Sequence, residues 1–140
     1  MTLHNLGTQV GLVEGTTAGT TVVAFPAQVV TASVTNANII DLNKFEGDIL
    51  FIVTAASSTS GVITITLNES DASNMASDSA VSGVSVVSTA GSATKDVFRI
   101  NSNERKRYCR VIVTESTAGY DAAVAVVAVG SHKYGLPVQP

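Results

Sequence analysis

Two histidines, His4 and His132, are the only imidazoles in the chain. Each sits in a terminal segment with no cysteine or acid at metal-ligand spacing. A zinc site would need ligands converging from distant points of the sequence. A nucleophile with its base would have to draw on the same two histidines or on a remote carboxylate. Neither a Gly-x-Ser-x-Gly elbow nor a Gly-rich phosphate loop ahead of a helix is present. Glu69 and Asp71 lie close together, with Asp78 beyond them. Oxygen ligands of this kind could hold Ca²⁺, and facing carboxylates could serve glycoside hydrolysis. Their place, where a strand enters a loop, favours solvated caps instead. Cys109 is the single cysteine, which excludes an intrachain disulfide and a cysteine-built metal centre. Within a strand it reads as a small buried hydrophobe. The chain is therefore expected to be no enzyme and to carry no cofactor.

One constellation does gather. Six of the eight basic residues lie between positions 95 and 110: Lys95, Arg99, Arg105, Lys106, Arg107 and Arg110. They flank one predicted hairpin, which would hold them within a few strand spacings. They could form the charged side of a docking interface, guard an edge strand against aggregation, or bind nucleic acid. The net charge of −3 argues against nucleic acid. Tyr134, Leu136 and Val138, in a Pro-containing tail, supply further apolar contacts for a protein partner.

The elements that must position these residues are strands. A chain of 140 residues makes about one domain. Its apolar content is carried by Val and Ala, with Thr, Ser and Gly filling much of the rest, and strong helix formers rarely cluster. Val and Thr are stiff at χ1 and suit a pleated surface. Charged residues make up 14%, against about 25% in ordinary soluble domains, a surface suited to an assembled or extracellular protein. The pattern predicts strands over Thr21–Phe25, stopped by Pro26, then Gln28–Val34, Asp48–Val53, Val62–Glu69, Gly83–Val87, Lys95–Ile100, Arg107–Glu115 and Tyr120–Val129; Ile39–Leu42 either continues the second or begins a turn that closes at Lys44–Gly47. Ile63, Ile65 and Leu67 face inward, and Thr64, Thr66 and Asn68 outward. Asp48–Val53 and Ala122–Val129 are apolar at both parities and read as strands covered on both faces. A helical turn is placed around Ala72–Ala76. Seven or eight antiparallel strands with turns every eight to twelve residues predict an all-β sandwich or jelly roll. The body spans Thr21–Gly130, between extended arms Met1–Thr20 and Ser131–Pro140. No secretory signal or membrane-spanning stretch is evident, so synthesis in the cytoplasm and no membrane partner are expected.

The stretches Asp48–Val53, Val62–Asp71, Val97–Ile100 and Arg107–Val113 together resemble a loose group of small head proteins from tailed bacteriophages. In these an alternating strand ends in a Glu-Ser-Asp-like turn, and an Arg-Tyr-x-Arg strand leads into the final hairpin, here closed by Ser116–Gly119. The resemblance covers about Phe45–Gly130 and points to capsid decoration (cement) proteins. It implies a jelly-roll body on the outer capsid, commonly trimeric, with terminal arms gripping neighbouring major capsid subunits. It carries over no functional residue. A tail, neck or fibre-associated protein is the nearest alternative, and a carbohydrate-binding surface module is a third.

Overall fold

The computed structural model describes residues 19–34 and 37–132. Eight strands form two four-stranded sheets: β1 (Gly19–Val30), β2 (Ile40–Asp41), β3 (Phe45–Ala55), β4 (Val62–Ser70), β5 (Ser79–Thr89), β6 (Thr94–Asn101), β7 (Tyr108–Thr117) and β8 (Ala122–His132). The first sheet runs β1-β8-β3-β6 and the second β2-β7-β4-β5, with every ladder antiparallel. Every connection except β4–β5 passes from one sheet to the other. This strand order is that of an eight-stranded jelly roll, an all-β sandwich.

The inner faces follow from the alternation. Ile63, Ile65 and Leu67 of β4 are fully buried, as are Cys109, Val111 and Val113 of β7 and Ile49, Phe51 and Val53 of β3. Together with Val124, Val126 and Ala128 of β8 they make one core cluster. Phe51 stacks on Phe98 at 4.9 Å between ring centres, tying β3 to β6. Each large side chain so buried stabilises the fold by roughly 1.5–3 kcal/mol.

Several expectations are corrected. Pro26 does not stop β1; the strand carries it at an irregularity, with register shifts between Val23 and Phe25 and between Phe25 and Gln28. Because β1 is an edge strand, a residue without an N–H is tolerated there. Gln28–Val34 is no separate strand: β1 ends at Val30, and Val34 forms a single bridge to Val113. Gly19 and Thr20 pair with Ser131 and Gly130, and His132 with Phe45, so Gly19, Thr20, Ser131 and His132 belong to the sheet rather than to the arms. Of Ile39–Leu42 only Ile40–Asp41 is strand, and Leu42–Lys44 is a 3-10 turn capped by Asp41. Gly83–Val87 is the middle of the longer β5. The segment 71–78 contains turns and no helix, with Met75 N–H donating to the Ala72 carbonyl.

The two expected hairpins of the last third are also absent. β6 and β7 lie in different sheets, as do β7 and β8. The turn residues are as read, but they carry the chain across the sandwich. Asn101 caps a 3-10 turn at Ser102–Glu104, accepting the Asn103 N–H, and Glu115 accepts the N–H groups of Gly119 and Tyr120. Local turn chemistry is the same whether the next strand pairs with the last or opposes it.

Candidate functional site

The basic residues split accordingly. Lys95 and Arg99 lie on β6 at the edge of the first sheet; Arg105, Lys106 and Arg107 lie on the crossing; Arg110 lies on β7 of the second sheet. Most are engaged within the chain. Arg107 pairs with Asp41 at 3.1 Å, Arg110 with Asp78 at 2.8 Å, Arg105 with Glu69 at 3.8 Å and Arg99 with Asp48 at 3.4 Å. Glu69 also accepts the Lys106 N–H, and Lys106 Nζ donates to Ser79. The acids considered as Ca²⁺ ligands, Glu69 and Asp78, are thus partners of arginines, and Asp71 is exposed. Hydrogen bonding from Arg107 holds the Asp41 carboxyl below the usual carboxylate range against the opposing effect of burial. At Asp78 burial pushes upward, but hydrogen bonds from Arg110 and Asn68 outweigh it and leave the carboxyl lowered. These contacts fasten the crossing and the β4–β5 loop to one end of the sandwich.

The opposite end is closed by hydroxyls. Ser58 lies 2.7 Å from Asp121, which also receives the Thr59 N–H and hydroxyl. These bonds, first that from Ser58, hold the Asp121 carboxyl low, and a carboxylate so held is a poor general base. Tyr120 is buried with its hydroxyl 3.0 Å from Ser88 and 3.3 Å from the Ala56 carbonyl. Gly61 passes so close to this connection that a Cβ there would meet the Tyr120 nitrogen at 2.3 Å. Cys109 is buried, and burial above all, with the charge of Glu69, pushes its thiol up to about 12. It is no nucleophile at neutral pH.

A shallow groove of about 150 Å³ lies between the edges of β5 and β6. Val81, Val84 and Ile100 line it, with Arg99, Glu104 and Arg105 also on its wall. It falls short of the roughly 300–1,000 Å³ of a small-molecule site. Among the described residues no group of three or more His, Cys, Asp or Glu could hold a metal, and no helix is long and apolar enough to cross a membrane. His4, Tyr134, Leu136 and Val138 lie outside the described residues.

The surface with a distinct character is the outer face of the first sheet. In register, Val23 pairs with Val127, Val127 with Ile52, and Ile52 with Val97, so one apolar row crosses all four strands. Leu50 stands beside this row, and Val29 beside Ala123. Val23, Val29, Leu50 and Val97 are 48%, 61%, 41% and 51% exposed. The strands read as covered on both faces are therefore covered on one. In β3 Leu50 and Thr54 are exposed, and in β8 Ala123 is exposed and Ala125 and Val127 half-buried. The sequence signal for this surface was present, since apolar residues at both parities mark two apolar faces. It does not say whether the second face is covered by the same chain.

No family model matches the chain, and no curated protein matches it. A solved structure from work on Bacillus endospore appendages, a family of disulfide-linked pili, aligns with 85% of this chain and 84% of that one. The identity is 13% and the TM-score 0.39.

Proposed function

We propose that this chain is a structural protein that acts by binding other protein surfaces, and specifically that it decorates the outside of an assembled tailed-phage capsid and stabilises it. The observation that carries the reading is the open apolar face of the first sheet, spanning Val23, Val127, Ile52 and Val97. Contiguous apolar surface of this kind marks a protein-contact site. The sequence resemblance supplies the lattice as the assembly in question, and jelly rolls recur in viral capsids, an argument by analogy of fold.

The physics of such a role is mass action. A protein that binds only the assembled lattice stabilises it, by about 2.7 kcal/mol per site at a hundred times its dissociation constant. Several modest contacts per bound unit reinforce one another through effective concentration. The test is to add the purified chain to undecorated particles, measure the bound mass and follow capsid melting. Saturable binding in proportion to coat subunits, with a raised melting temperature, is expected. A copy number matching the ring symmetry of a tail or neck would move the protein there. No binding to any particle surface would overturn the proposal.

A further inference from the structure

We infer that the outer face of the first sheet pairs with the same face of a second copy of this chain, about a two-fold axis running across the strands. The inference rests on the proposed function's reading of that face as a protein-contact surface and names a second copy as its occupant, so that the pair meets the lattice by its remaining surface.

Three observations carry it. The first is the two-sided apolar patterning of β3 and β8. Such strands occur where both faces are covered, yet the described residues cover only one, with Leu50 and Ala123 left exposed. A second copy supplies the missing layer.

The second is the placement of charge. On this face β1 and β8 place Val23, Val29, Ala123, Ala125 and Val127 outward, then the buried Val129 and the exposed Ser131, none of them charged. Charge is confined to the β3–β6 side: Glu46 and Asp48 at one end, with Arg99 paired to Asp48, and Lys95 at the other. Asp48 and Thr54, the register partner of Lys95, are separated by about 20 Å of strand. A two-fold axis across the strands lays β6 over β6 and reverses the rows. It brings Lys95 of each copy over the Asp48 corner of the other, and the Leu50 row over the Ile52 row. With Glu46 and Asp48 against Arg99 the first end is net acidic and Lys95 makes the other basic, the opposite signs that this operation requires. Isologous pairing of this kind is the commonest symmetry of soluble oligomers.

The third is extent. Four strands about 4.8 Å apart and seven residues at about 3.3 Å each frame a patch on the order of 400 Å² in projection. That is below the about 800 Å² per partner of a standard interface, so the pair is weak and concentration-dependent in solution.

Sedimentation of the full chain from low to hundreds of micromolar tests this. The weight-average mass should rise from 14.3 kDa toward twice that value. Val97→Glu should weaken association at least tenfold while the cooperative melt and β-sheet signal persist. Lys95→Asp should weaken it too, and Lys95→Asp combined with Asp48→Lys should restore it, which a merely structural role for either residue would not. A monomer at every concentration, a trimer, or association indifferent to Val97→Glu would each overturn the inference. Particle binding is read separately. A persistent monomer whose particle binding is lost on Val97→Glu would show the lattice itself on this face, overturning the pairing and leaving the proposed function intact. Pairs that bind no particle would support the pairing and overturn the function.

Discussion

The two sheets of the sandwich solve the same problem inward and opposite problems outward. On the first, the central outer row reads Val23, Val127, Ile52 and Val97; on the second, β4 presents Thr64 and Thr66, with Thr114 and Ile112 beside them on β7. Val and Thr are both β-branched and nearly equal in volume, so both suit a pleated strand. They differ by a methyl against a hydroxyl. One face thereby keeps its strand-forming residues with hydroxyls turned to water, while the other keeps them and leaves apolar surface exposed among the described residues. Val87, 54% exposed, stands on the second sheet beside Thr64 and does not extend into an apolar row. Strand propensity and surface character are separable, and this protein separates them sheet by sheet.

The comparison is most sharply tested within a single strand. Ile65→Asp puts an unpaired carboxylate in the core and should cost several kcal/mol, a large share of the about 5–15 kcal/mol that holds a domain. Thr64→Asp, one residue away on the outer face, should barely move the melting temperature. If both melted alike, the inward and outward assignment of β4 would be wrong. Tyr120→Phe removes the hydroxyl bonded to Ser88 and the Ala56 carbonyl, where the sheets meet. It should cost about 1 kcal/mol in denaturant unfolding without changing association.

Exchanging the faces should alter stability by less. Thr64→Val, Thr66→Val and Thr114→Val together should stay within about 0.5 kcal/mol per site, yet make the second sheet self-associating in light scattering. Solubility unchanged by the triple variant would mean that the hydroxyls are not what keeps that face in water. The smallest effect expected is that of acid. Asp41 and Asp78 titrate below their ordinary values because their arginine partners hold them charged. Their contribution is complete above the unfolded carboxylate value and fades as pH falls through the lowered folded value. Thermal melts below pH 4 should therefore lose stability in the wild type, and less of it in Asp41→Asn. Equal losses would mean that the Asp41–Arg107 pair contributes nothing measurable, as exposed pairs often do.

Most of the fold was legible because burial imposes a period of two. The inward sets Ile63-Ile65-Leu67 and Cys109-Val111-Val113 could be read directly. Connectivity could not. Asn101–Glu104 and Ser116–Gly119 have residues that turn a chain, and a turn within a sheet uses the same chemistry as one between sheets. Reading them as hairpins gathered Lys95–Arg110 into one patch, whereas the structure distributes it over both sheets and binds most of it to Asp41, Asp48, Glu69 and Asp78. The open face was written in β3 and β8 as apolar residues at both parities. One chain's sequence does not distinguish a face covered by itself from a face covered by another.

The pairing of β1 with β8 has a consequence for how the protein is made. About ninety residues separate the end of β1 from the start of β8, and β8 is the strand that joins β1 to the rest of its sheet. At about 5–20 residues per second, β1 emerges from the ribosome roughly 5–20 s before β8, its ladder partner among the described residues, exists. During that interval its backbone is an unclaimed edge among other nascent chains. Pro26 and the two register irregularities that bracket Phe25 interrupt that edge where it would otherwise offer a continuous template to a stranger. Imperfect pairing in the finished sheet is thus also a poorer template while β8 is still to come.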